Sequence, residues 1–109
     1  MPLTIAELTE AMHAFVQSKD WYDANSPRPQ TLRNLAISLS LEASEVLEHF
    51  QWRDKTPESL GKIERSGLAS ELADVALYLL QLASISGIDL EQAILDKLKI
   101  NYDRTWDTK

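Results

Sequence analysis

Residues 41–52 read LEASEVLEHFQW. They sit within a set of apolar residues at helical spacing: Leu32, Leu35, Leu39, Ala43, Val46, Leu47 and Phe50 form one stripe. The segment is therefore a helix, and it raises a question of chemistry. Glu42 and Glu45 lie close to its apolar side, where a carboxylate is costly unless something uses it.

The chain divides itself into further helices on either side. Thr4 caps a first helix running to about Lys19, with Ile5, Leu8, Met12 and Phe15 on one face. WYDANSPRPQ (21–30) is a loop, marked by two prolines, Asn25 and Ser26. Thr31 caps the second helix, expected to reach about Trp52. RDKTPESLGKIERSG (53–67) reads as a polar connector with a short helical turn. A third helix is expected from about Gly67 to Ser86, with Leu68, Leu72, Val75, Leu79 and Leu82 in one stripe. Leu77, Leu80 and Ile85 spread beyond that stripe, and a helix apolar round most of its girth is central or lies at a subunit interface. Gly87 stops it, and Asp89 caps a fourth helix, LEQAILDKLKINYDRTW (90–106). No segment reads as a strand. The expected fold is all-α, a four-helix bundle in a single domain over residues 1–109.

Composition narrows the function. A 109-residue chain that is 44% hydrophobic can build one core, yet leaves much surface that self-association would cover. There is no cysteine, so neither a disulfide framework nor a thiolate metal site is available. MPLTIAELTEAMHAF (1–15) lacks the pattern of a signal peptide, and no apolar run approaches the ~20 residues that span a bilayer. The expectation is a cytoplasmic protein with no membrane partner. A net charge of −6 without a basic run argues against a nucleic-acid partner. An acidic protein reaches phosphate through a bridging cation.

That cation has a candidate site. The second helix contains LEASEVLEHF (41–50) and the third SELADVALYL (70–79). Each holds an acid, two residues, another acid, then valine: Glu42 and Glu45, Glu71 and Asp74. Residues three apart on a helix lie about 60° apart, so each pair grips in one direction. In both helices the first acid stands at the edge of the apolar stripe and the second about 60° further out. Antiparallel packing sets the pairs facing across a groove. Four carboxylates there repel one another, and no Lys or Arg within these turns neutralises them. A hard divalent cation does, and oxygen ligands suit Mg²⁺ or, as a substitute, Mn²⁺. One such pair is ordinary on any helix; two in matching placement are what carry the reading.

His49 and Trp52 stand seven residues from Glu42 and Glu45, and Tyr78 seven from Glu71, each about 20° off its acid. This predicts an indole and a phenol on the metal face, and aromatic faces stack on nucleobases. Lys97, Asn101 and Arg104 recur at i, i+4 and i+7, a plausible contact for phosphate or sugar. No glycine-rich phosphate loop is present, so a nucleotide site here would be of another kind.

NLAISLSLEASEVLEHFQW (34–52), ELADVALYLLQLA (71–83) and KLKINYDR (97–104) together resemble the MazG-like nucleoside triphosphate pyrophosphohydrolases. The likeness is closest to the small dCTP pyrophosphatase branch and covers about residues 12–104. It implies an all-α fold assembled as a homodimer or homotetramer. It also implies Mg²⁺-dependent hydrolysis of a (deoxy)nucleoside triphosphate substrate to the monophosphate and pyrophosphate. By the same resemblance Glu42, Glu45, Glu71 and Asp74 are metal ligands, and Trp52 and Tyr78 contact the nucleoside. Asn101 is a base- or sugar-contacting amide, Trp21 an aromatic of the first loop, and Lys97 a phosphate contact. Arg104 is expected to share the phosphate charge, and Glu45 is the expected general base ahead of Glu48.

The chain departs from the family in three places. Leu41 and Ser44 stand where glycine is usual, and Met12 fills the place of a base-contacting histidine, with His13 one position off. The loop over 22–30 also looks longer. Two rivals remain at this level: an enzyme of the same fold acting on dUTP or another nucleotide, and a metal-free module that dimerises through the third helix.

Overall fold

The computed structural model describes residues 2–105. Among them are four helices and no strand: α1 (Ile5–Ser18), α2 (Leu32–Glu48), α3 (Lys62–Ile85) and α4 (Leu90–Asp103). A 3₁₀ turn at Pro57–Ser59 lies between α2 and α3. The fold is all-α, as the spacing predicts.

The caps are the expected ones. Thr4 Oγ1 accepts from the Glu7 N–H at 3.1 Å while the Glu7 carboxylate accepts from the Thr4 N–H at 2.9 Å, satisfying two orphan donors reciprocally. Thr31 and Asp89 each accept one amide of the helix they open, from Asn34 and Gln92, both at 3.1 Å. At the end of α3, Gly87 takes φ 73°. This lets the Ile88 N–H reach the Ala83 carbonyl at 2.9 Å and the Gly87 N–H that of Ser84 at 3.0 Å, a Schellman closure.

Two boundaries differ from expectation. α2 stops at Glu48, four residues before Trp52. From His49 onward the amides bond three residues back, His49 to Val46, Phe50 to Leu47 and Gln51 to Glu48, and Trp52 leaves at φ 69°. No basic residue stands in the last turn, and Glu48 sits at the negative end of the dipole, so this terminus has little support. α3 starts at Lys62, five residues earlier than Gly67. The Glu64 carboxylate accepts from the Gly61 N–H at 3.1 Å and pairs with Arg53 at 3.3 Å and Lys55 at 3.4 Å, drawing the polar connector into the helix. The expected end of α4 at Trp106 lies outside the described residues; the helix closes at Asp103.

α1 and α2 both run antiparallel to α3. His49 lies against Gly67, Glu45 beside Glu71, and Ser38 near Tyr78, so α2 descends as α3 rises. Gly67 makes room for the His49 ring: a Cβ there would stand 3.0 Å from His49 Cε1. Met12, Val16, Leu35 and Ala83 form the buried apolar core among the described residues. α4 buries no residue, and the radius of gyration is 17.0 Å, against about 13 Å for a compact domain of this size. Three helices thus share the core, and the fourth extends from it. By length and composition alone α3 is long and apolar enough to cross a membrane. It also carries Glu71 and Asp74 in its middle, where lipid would exact a heavy cost.

Replacing Gly87 with alanine forces a left-handed conformation on a residue with a Cβ and should cost about 1 kcal/mol in a urea melt. Gly87→Asn should cost visibly less, because asparagine tolerates that region.

Candidate metal and nucleotide site

The antiparallel register brings Glu42 and Glu45 of α2 to Glu71 of α3. One carboxylate oxygen from each lies within 4.8 Å of the others. Asp74, one turn further along α3, is outside this trio but close enough for its charge to act on both Glu42 and Glu71. The structure thus gathers the four predicted acids as a tight three with a fourth beside them.

Their mutual charge raises the proton affinity of two of them. Burial holds the Glu42 carboxyl above its usual range, and its hydrogen bond to Glu45 and the charges of Glu45 and Asp74 push the same way. Glu71 is pushed up to about 7, first by its hydrogen bond with Glu45, then by burial and by the charges of Glu45, Glu42 and Asp74. Glu42 Oε2 and Glu71 Oε2 are buried with no hydrogen-bond partner. Orphaned buried oxygens of this kind cost free energy until something binds them. The ion pairs of Arg53 and Lys55 both end on Glu64, outside the cluster. Three or four hard oxygen donors without a soft ligand fit Mg²⁺ or Mn²⁺.

Two cavities flank the acids. The first, about 310 Å³, is polar and lined by Glu45, Glu48, His49, Arg53, Glu64 and Glu71 among others. The second, about 300 Å³, is mostly apolar and includes Phe15, Trp21, Gln30, Asp74, Tyr78 and Gln81. Asp74 therefore joins the acid cluster to an aromatic chamber. Trp21 is fixed there by an edge-on contact with Phe15, with centroids 5.8 Å apart, and by the Arg28 guanidinium 5.2 Å from its ring.

The other predicted contacts divide. Trp21 and Tyr78 share the apolar cavity. Trp52 lines neither cavity: α2 ends before it, it takes φ 69°, and it is 93% exposed. Lys97 and Asn101 are one turn apart on α4, and Arg104 caps its C-terminus, its N–H bonded to the Asn101 carbonyl. None of the three lines either cavity within one chain. Sequence reasoning missed Arg53 and a hydrogen-bonded set made of His13, Tyr22, Gln30, Gln81 and Ser84. Its signal was Gln81, the lone polar residue in LYLLQLA (77–83).

The model of the MazG-like family matches residues 37–107, a stretch that includes all four acids, Tyr78 and the predicted residues of α4. The chain belongs to the MazG-like family. This MazG-like chain is 34% identical over 104 residues to dCTP pyrophosphatase 1 of Mus musculus and to that of Homo sapiens. The match takes in 93% of this chain and 58% of each relative, so the chain spans about three-fifths of their length. The crystal structure of a pyrophosphatase from Archaeoglobus fulgidus superposes with a TM-score of 0.73 at 32% identity, covering 93% of this chain and 91% of that one.

A carboxyl raised on folding binds its proton more tightly in the native state, so its contribution is full at low pH and is lost as pH rises. The metal-free protein should lose thermal stability between Glu71's ordinary 4.5 and about 7. Glu71→Gln should flatten that decline, and saturating Mg²⁺ should remove it. Melting curves from pH 4 to 8, with and without EDTA, measure this.

Proposed function

We propose that this MazG-like chain is a Mg²⁺-dependent pyrophosphohydrolase of (deoxy)nucleoside triphosphates, releasing the monophosphate and pyrophosphate. One observation carries the reading: a carboxylate cluster with two orphaned buried oxygens opens, through Asp74, onto a chamber holding Trp21 and Tyr78. Relatives named pyrophosphatases support it.

Glu42, Glu45, Glu71 and Asp74 would hold the cation, which would neutralise phosphate charge and make the α-phosphorus more electrophilic. The chain's own groups do the rest. Glu45 is exposed and lines the polar cavity, so a water there can reach it. It takes the proton as the water oxygen bonds to the α-phosphorus. The bond from that phosphorus to the bridging oxygen breaks, and pyrophosphate leaves with the electron pair. Glu48 lines the same cavity and is the second choice for the base. Arg53, on that wall too, can hold pyrophosphate charge. Trp21 and Tyr78 hold the nucleobase and exclude water from it.

Assembly completes the site in this reading. Leu72 and Leu79 of α3 are 51% and 40% exposed on one face, and most of α4 is exposed. A homodimer, or a homotetramer of two dimers, covers these surfaces. It also gives Lys97, Asn101 and Arg104 a second subunit's site to act on. The metal-free dimerisation module is the weaker reading: it gives no reason for crowding three carboxylates until Glu71 holds its proton to about 7.

With dNTPs and Mg²⁺ the protein should yield monophosphate and pyrophosphate; release of single phosphates refutes the reaction. Glu45→Gln should lower kcat about 10²- to 10⁴-fold, the range of a positioned acid–base group, with the helical spectrum unchanged. Leu72→Lys should shift the sedimenting species to the monomer.

A further inference from the structure

The hydrogen-bonded set beneath the aromatic chamber has a direction, and one atom on the chain fixes it. The Arg28 carbonyl can only accept, so the Gln30 amide nitrogen must face it, at 2.6 Å. Gln30 Oε1 is then the atom turned toward Gln81. An acceptor there requires a donor, and Gln81 supplies its amide nitrogen at 2.7 Å. The second proton of the same nitrogen goes to Tyr22 Oη at 3.2 Å. Tyr22 Oη is hydrogen-bonded to His13 Nδ1, and His13 Nε2 to Ser84 Oγ at 2.7 Å, which ties the set back to α3. Turning the Gln81 amide over would place its oxygen against the Gln30 oxygen. Both amide protons of Gln81 are thus committed, and its carbonyl oxygen is the one polar atom left to offer.

Gln81 is 3% exposed, and it lines the same cavity as Trp21, Tyr78 and Asp74. A buried, oriented acceptor in a mostly apolar chamber asks its occupant for a donor. We propose that Gln81 is a specificity-determining residue, held by Gln30 and the Arg28 carbonyl, which selects nucleobases with an exocyclic amino group at C4 of a pyrimidine or C6 of a purine. Cytosine carries that group at C4 and adenine at C6. Uracil and thymine present a carbonyl at C4, which sets oxygen against oxygen and leaves both without a proton. Gln81 does not take part in phosphorus chemistry. Its effect lies in which base is admitted, and this rests on the reading of the apolar chamber as the base site.

The test compares kcat/KM for dCTP and dUTP, a pair differing at this group, using the full chain at saturating Mg²⁺. Wild type should favour dCTP by about 10- to 100-fold, the penalty for a buried polar group left unpaired. Gln81→Leu should bring the ratio close to one, chiefly through loss on dCTP. Gln30→Leu should release the latch, let the Gln81 amide turn, and raise dUTP relative to dCTP. A purely structural role would lower both substrates together and leave the ratio where it was. If far-UV circular dichroism shows Gln81→Leu to be misfolded, Gln30→Leu on the loop gives the deciding ratio. A wild-type ratio of one or below, or a ratio unmoved in the folded variants, overturns the proposal while the hydrolase reading stands. A wild type that releases pyrophosphate from no dNTP overturns both.

Discussion

Repulsion among the carboxylates of Glu42, Glu45 and Glu71 is the constraint around which this molecule is arranged. Packing α2 antiparallel to α3, with His49 against Gly67, brings the three together, with Asp74 adding its charge. Empty, the arrangement works against the fold: Glu71 keeps its proton to about 7, and two oxygens are buried with nothing to bond. Filled by a divalent cation, the same geometry turns from liability to binding energy. Ligand binding to the native state alone then adds stability by mass action.

The second constraint is the thin core. Met12, Val16, Leu35 and Ala83 are few for a chain of 109 residues, and α4 contributes nothing to them. One copy leaves the Leu72–Leu79 face and much of α4 in water. Association and catalysis are coupled in the proposed reading, because Lys97 and Asn101 line neither of the cavities beside the acids. The acid cluster, by contrast, is built entirely within one chain.

Much of this was legible in the sequence, for identifiable reasons. Helical periodicity and side-chain caps are local, so Thr4, Thr31, Gly87 and Asp89 mark their helix ends where the structure puts them. The repeated acid spacing survives because it needs only two helices side by side. α2 was expected to reach Trp52 because a wheel extrapolates a helix beyond the point where its support fails. The start of α3 was missed because its cap is Gly61, and the groups that secure it, Arg53 and Lys55, come from across the connector. The Gln30–Gln81 bond joins residues 51 apart in sequence, and no local pattern encodes such a pairing.

The most direct test of the central claim is a Mn²⁺ titration followed by electron paramagnetic resonance at pH 7.5, without nucleotide. The account predicts that the free-ion signal falls saturably with wild type and recovers with Glu71→Gln or Glu42→Gln. A free-ion signal of full strength at every wild-type concentration would contradict it.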